Sequence, residues 1–125
     1  MIVGIGTDII NIARMKALFE RHGQAFVNRV FTEMEREIAA DRKNPIEYFA
    51  GRWAAKEAVS KALGCGIGAN CAFQDINIVN DSRGGPSFEL SGSAAKRAEA
   101  IGATKFHISI SHEREYACAM VIMES

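Results

Sequence analysis

The stretch NPIEYFAGRWAAKEAVSKALG, residues 44–64, constrains this chain more than any other. Asn44 is a good helix N-cap, Pro45 suits the first helical position, Glu47 stands at the third, and Gly64 supplies a stop. The spacing predicts one long helix. From residue 49 to 64 nearly every uncharged residue is apolar or small, yet Arg52, Lys56, Glu57 and Lys61 interrupt them. At about 100° per residue, Glu57 falls between Trp53 and the Ala50/Ala54 row, with Lys61 one turn beyond. Arg52 and Lys56 fall together on another side, near Val59 and Leu63. Ala54, Ala58 and Ala62 form a small-residue stripe that lets another element come close. A solvated helix segregates its charges to one face, and this one does not. Glu57 and Lys61 are either an i,i+4 surface pair worth a few tenths of a kcal/mol, about 0.3–0.5, or groups on apolar surface. A carboxylate buried beside Trp53 needs a cation, a metal or a network.

Around this helix the chain reads as β, helices, ββ, α, ββ. Residues 2–10 are rich in β-branched residues and predict a strand. Asn11 caps a helix over about 12–22 that ends at Gly23. Thr32 with Glu35 is a capping box for a second helix. After the glycine-rich GCGIGANC, the segments DINIVN and PSFEL predict two strands joined across DSRGG. SGSAAKRAEAIG predicts a short helix, and FHISISH and YACAMVIM a hairpin around HERE. The strands are not spaced for repeated βαβ units, so the expected class is α+β: an antiparallel sheet packed with a long central helix and shorter helices. No linker or repeat divides residues 1–125, which suit a single domain.

Composition narrows the function classes. Formal net charge is zero, which argues against a sequence-independent hold on nucleic acid. The odd set Cys65, Cys71 and Cys118 fits reduced thiols better than a disulfide framework. Cys65 and Cys71 lack the second pair that a zinc site needs. The run IVGIGTDII is too short to span a membrane and lacks a basic flank, so it is a strand, and a cytoplasmic location is expected.

A second acid accompanies Glu57. Asp8 shares a strand face with Gly4 and Gly6, while Val3, Ile5 and Ile9 point the other way. Its plain reading is a strand-end residue that helps cap the next helix. The two glycines suggest instead that something approaches the backbone there. GIGTDI is not a dinucleotide fingerprint, since Ile9 stands where a third glycine belongs. Two acids from different elements with cations nearby suit a divalent ion that holds phosphate oxygens; magnesium commonly takes one or two carboxylates plus substrate phosphates. Arg52, Lys56 and Lys61 are then placed to meet the remaining phosphate charge.

GIGTDI and WAAKEAVSK (residues 53–61) resemble the two signature motifs of the 4′-phosphopantetheinyl transferases. LGCGIG and SISHEREYACAMV resemble the short holo-acyl-carrier-protein synthase branch, and the likeness runs over essentially the whole chain. The resemblance implies transfer of the phosphopantetheine arm of coenzyme A to a serine of an apo acyl carrier protein, for fatty acid and lipid synthesis, with release of adenosine 3′,5′-bisphosphate. It implies magnesium as cofactor, held by Asp8 and Glu57, and a catalytic set of Asp8, Glu57 and Lys61. Lys61 matches the lysine that offsets charge on the phosphate or leaving group. Lys43, Arg52, His112 and the loop glycines Gly64 and Gly66 correspond to coenzyme contacts. Cys65 stands where relatives often have threonine. The family assembly is a homotrimer with sites between subunits, which implies Asp8 from one subunit facing Glu57 and the glycine loop of its neighbour. Such a reaction needs an acceptor for the serine proton, and the candidate is Glu57, directly or through a water on the metal.

Ser109, Ser111 and His112 do not form a hydrolase site: no strand–turn–helix nucleophile elbow is present, and alternating serines are one face of a strand. His22 and His107 carry no signal beyond surface or strand positions. Arg14, Leu18 and Arg21 share a helix face, which is either a solvated basic face or a dock for an acidic carrier protein. Two other classes compete: a non-catalytic coenzyme A-binding protein, and an assembly module in which Asp8 and Glu57 are dispensable.

Overall fold

A computed structural model describes residues 1–125. The elements are β1 (Ile2–Asn11), α1 (Ile12–Val30), α2 (Glu33–Ala40), α3 (Pro45–Ala62), a 3-10 turn (Phe73–Asp75), β2 (Ile76–Asn80), β3 (Pro86–Leu90), α4 (Gly92–Ala100), β4 (Lys105–His112) and β5 (Tyr116–Glu124). The class is α+β as expected. All strand pairs are antiparallel, but they form two sheets, β1-β5-β4 and the β2-β3 hairpin.

Local chemistry sets the helix starts. Asn11 Oδ1 accepts from Arg14 N at 3.2 Å, Asn44 Oδ1 accepts from Glu47 N at 3.2 Å, and Thr32 with Glu35 closes a reciprocal capping box. Asp8 caps nothing; Asn11 does that work. At Gly23 (φ 61°) the first helix breaks as predicted, but it resumes and runs on to Val30. The resumed turn buries Val27 and Val30 beside Phe31, Ala39 and Phe49 in a small second core.

The main core lies between α3 and the larger sheet. Ala50, Ala54, Ala58 and Val59 are fully buried there with Ala117, Val121 and Met123 of β5. The alanine stripe does let an element approach, and that element is β1. A Cβ on Gly4 would overlap the Ala62 carbonyl oxygen, and one on Gly6 would overlap that of Ala58. The neighbour that the two glycines make room for is therefore α3, not a ligand.

The other side of α3 holds a sealed ion pair. Lys56 and Glu35 are both 0% exposed, with Nζ 2.9 Å from Oε1. Lys56 also donates to the carbonyls of Phe73 (3.0 Å) and Ile76 (2.7 Å), which uses all three ammonium protons. Glu35 accepts from Thr32 N and Ile78 N at 2.8 and 2.7 Å. Burial pushes the Lys56 pKa below the usual lysine range, against the pull of Glu35. This network ties α2, α3 and β2 together, so Lys56 is committed to structure and has no proton left for a ligand.

The outer face of the larger sheet is open and largely apolar over β1 and β5, while β4 adds His107, Ser109 and Ser111 to it. Ile5, Ile9 and Met120 are 62%, 66% and 47% exposed, and Tyr116 and Cys118 join them. No helix of the chain is long and apolar enough to cross a membrane.

Candidate active site

Two half-sites lie on α3. The first combines its C-terminal half with β1. Lys61 Nζ lies 3.0 Å from Asp8 Oδ1 and 3.0 Å from the Thr7 carbonyl. Lys61 does not pair with Glu57, so the i,i+4 reading of that pair fails. Glu57 is half-buried, and its pKa is raised, first by burial, then by the Asp8 carboxylate, with Lys61 pulling it down. Two carboxylates are therefore close enough for one to raise the pKa of the other, with Lys61 the cation that acts on both, all from one chain. The resemblance implied Asp8 and Glu57 on different subunits; here the contact of β1 with α3 brings them together within one.

No group of three or more His, Cys, Asp or Glu side chains converges in the chain. The Asp8–Glu57 pair nonetheless fits magnesium, which takes one or two carboxylates and draws its other oxygens from phosphates and water. Beside the pair the chain leaves α3 through Gly64 (φ 77°) and Gly66 (φ 67°), conformations that favour glycine. The amides of Cys65 and Gly66 turn back to Ser60 O at 3.3 and 3.1 Å. Cys71 closes this loop against Gly68 and is buried, its thiol pKa pushed up to about 12, mainly by burial.

The second half-site lies at the N-terminal half of α3. A cavity of roughly 460 Å³ is lined by Lys43, Arg52, His112, Tyr48, Arg42 and Asn80, among others. Lys43, Arg52 and His112 are thus brought together as the sequence suggested. Arg52 is 8% exposed; its Nη2 donates to Asn80 Oδ1 at 3.1 Å, and its Nε is buried without a partner. No carboxylate pairs with it. A buried cation without a counter-charge is costly, and an anion in the cavity would remove that cost. Glu47 does not compensate, because it contacts His112 Nδ1 at 3.2 Å. Ser109 and Ser111 are simply exposed on β4. Nothing local pointed to Asn80, whose contact with Arg52 spans 28 residues and leaves no pattern in the sequence.

The half-sites do not merge within one chain. Arg52 and Glu57 are about 7.5 Å apart along the helix axis and roughly 140° apart around it.

Arg14, Leu18 and Arg21 line one shallow hollow on α1. Leu18 also borders an apolar hollow with Phe26, Trp53 and Phe73, rimmed by Arg29.

Residues 4–121 match the model of the 4′-phosphopantetheinyl transferase superfamily. A holo-[acyl-carrier-protein] synthase of Photorhabdus laumondii is 44% identical over 123 residues, 98% of each chain. The crystal structure of the corresponding synthase of Neisseria meningitidis superposes with a TM-score of 0.93 at 38% identity, with both chains fully covered. The Bacillus anthracis synthase, solved in complex with CoA (3′,5′-ADP), gives 0.84 at 42% identity over 100% of this chain and 98% of that one.

Proposed function

The chain belongs to the 4′-phosphopantetheinyl transferase superfamily, and from that premise we propose that it acts as a holo-[acyl-carrier-protein] synthase in fatty acid and lipid synthesis. It transfers 4′-phosphopantetheine from coenzyme A to a serine of apo acyl carrier protein and releases adenosine 3′,5′-bisphosphate. The observation that carries this reading is the convergence of Asp8, Glu57 and Lys61 in a chain aligned end to end with such synthases.

The serine oxygen attacks the phosphorus that bears pantetheine, and the bond from that phosphorus to the bridging diphosphate oxygen breaks. Such a transfer needs alignment and charge stabilisation more than covalent help from the protein. Asp8 and Glu57 would hold magnesium, which when bound polarises the diphosphate and neutralises developing charge. Lys61 adds positive charge beside the leaving phosphate. Glu57 accepts the serine proton, directly or through a water. Lys43, Arg52 and His112 receive the nucleotide end of the coenzyme, and Gly64 and Gly66 let its arm pass close to the main chain.

The enzyme works as a homotrimer with its sites between subunits. Two features support this: the uncovered apolar face of the larger sheet, and half-sites on different sides of α3. In the assembly the acid pair of one subunit meets the basic cavity of the next. Arg14, Leu18 and Arg21 dock the acidic carrier, and the docking weakens with salt. The three free cysteines fit the reducing cytoplasm.

The test is intact-mass spectrometry of an apo acyl carrier protein after incubation with the protein, coenzyme A and magnesium. A gain of one phosphopantetheine that chelator abolishes and Glu57→Ala largely removes supports the reading. Coenzyme A binding by folded protein, with no transfer to several apo carriers, overturns it in favour of a non-catalytic binding protein.

A further inference from the structure

The loop that leaves α3 is built around glycines and is nonetheless held at a definite place. Gly64 (φ 77°) and Gly66 (φ 67°) take conformations that glycine enters easily and leaves as easily. A helix ends in carbonyls that have no partner further along it. The loop's own amides serve two of those in α3. Gly64 N donates to Lys61 O at 2.9 Å, and Cys65 N and Gly66 N both donate to Ser60 O, at 3.3 and 3.1 Å. The carbonyl of Leu63, just past the helix end, is served from elsewhere. Arg97 Nε, on α4, donates to Leu63 O at 2.9 Å across 34 residues of sequence. Its Nη2 lies 3.5 Å from where a side chain on Gly64 would begin, so the guanidinium also borders the first glycine of the loop. The helix that carries Arg97 is anchored by Ala94 and Ala98, which are buried in the main core with Leu63 and Cys71. No carboxylate pairs with Arg97, because the ion pairs of the chain involve Lys56, Lys61, His107 and His112 instead. Its charge falls on the C-terminal end of α3, where the helix dipole favours a cation.

We propose that Arg97 is a positioning residue for the transfer reaction: through Leu63 O it fastens the glycine loop in the shape that admits the arm of the coenzyme. This rests on the transferase reading. Glycine loses more conformational freedom on ordering than any other residue. A loose glycine loop would have to be ordered by the coenzyme as it binds, and that would weaken affinity. A hydrogen bond donated by a charged group is among the stronger ones, and this one comes from a helix seated on the core. The ordering is thus completed at folding, before the ligand arrives. One loop shape serves the bound coenzyme and the transition state alike, so the effect of Arg97 falls on KM and not on the chemical step. It falls on the arm-bearing coenzyme and not on adenosine 3′,5′-bisphosphate, which has no arm to pass the loop.

The experiment compares the wild-type protein with Arg97→Met and Arg97→Gln in steady-state transfer, with a melting temperature for each. Arg97 is half-buried, and methionine and glutamine both suit a helix, so both variants fold. Glutamine carries its amide nitrogen at the same place along the side chain as the Nε of arginine and keeps the donor; methionine fills the space without one. Arg97→Met should raise KM for coenzyme A about tenfold, with kcat within about twofold. Inhibition by adenosine 3′,5′-bisphosphate should not weaken. Arg97→Gln should hold KM within about threefold of wild type. A merely structural Arg97 would lower the melting temperature and leave KM alone, or would weaken coenzyme and bisphosphate alike. Either result overturns the proposal, as does an Arg97→Gln variant that behaves like Arg97→Met. Hydrogen exchange gives a readout that needs no transfer. In Arg97→Met the amides of Cys65 and Gly66 should exchange about tenfold faster, while those in the middle of α3 keep their wild-type rates. If the wild-type protein transfers nothing, the transferase reading fails on its own, and exchange decides whether Arg97 fastens the loop. Faster exchange confined to the loop upholds the fastening; unchanged rates there, or a uniform rise along α3, overturn it.

Discussion

Lys56 and Glu57 are neighbours in sequence, and α3 turns them to sides about 100° apart. In the network around Lys56 every polar group is matched: the ammonium has three acceptors, and Glu35 accepts from two amides besides the ion pair. On the Glu57 side the balance is left open. Two acids share one lysine, and burial, then Asp8, raise the Glu57 pKa against the weaker downward pull of Lys61. The same helix thus carries a closed network that fixes its position and an open one that invites a ligand. Charge alone does not mark a functional residue; unmatched charge does.

The largest effect that tests this contrast is on rate. Glu57→Gln should slow transfer by between about 10² and 10⁴-fold, measured as release of adenosine 3′,5′-bisphosphate, and should not lower the melting temperature. A variant that loses activity and stability together would place Glu57 in the structure, beside Lys56.

The mirror experiment is Lys56→Met. It strands a buried carboxylate and should cost about 3–5 kcal/mol in denaturant unfolding, while the double variant Lys56→Met/Glu35→Leu recovers much of the loss. A fully stable Lys56→Met, or a double variant no better than the single, would show that the pair is not the closed network described.

A smaller effect separates the sides by pH. The Glu57 pKa is higher in the folded state than in the unfolded one. The contribution of its proton is complete below the ordinary carboxylate range and is lost as pH rises from there through the raised folded value. Glu57→Gln should therefore gain stability relative to wild type across that window and hold a constant margin above it. A margin that shrinks as pH rises would contradict the open side of the comparison.

The smallest effect is chemical. With its thiol pKa pushed up to about 12, Cys71 should resist iodoacetamide at pH 8 for as long as the protein stays folded. Cys118 is exposed on the sheet face of the single chain; if the proposed trimer covers that face, it should become reactive only when dilution separates the subunits. Rapid labelling of Cys71 in the native protein would mean that the glycine loop opens readily.

The sequence was most informative where cause and effect lie a few residues apart. Asn11, Thr32 and Asn44 announce the helices they cap, and the alternation in residues 2–10 announces β1. It was least informative about what lies across a gap. A helical wheel places Lys56 and Arg52 on one side of α3 but does not reveal that Glu35 waits for the first and Asn80 for the second. Glu35 was visible only as a capping residue, because its second role is with elements far along the chain. Gly4 and Gly6 signalled a close approach correctly, and only the fold shows that α3 makes it. Asp8 was legible as an acid out of place, but its closeness to Lys61 and Glu57 within one subunit depends on that same packing.

That packing has a mechanical consequence. Between β1 and α3 there is no side chain at positions 4 and 6 to act as a cushion; main chain rests almost on main chain. The separation of the main chains that carry Asp8 and Glu57 is set by a hard stop, and only the two side chains can swing. If magnesium is held there as proposed, a backbone with so little play suits an ion with strict demands. Magnesium wants its oxygens at about 2.0–2.1 Å in near-octahedral order, while calcium tolerates looser shells at about 2.3–2.6 Å. Two residues with no side chain would then act as the gauge that sets which ion fits.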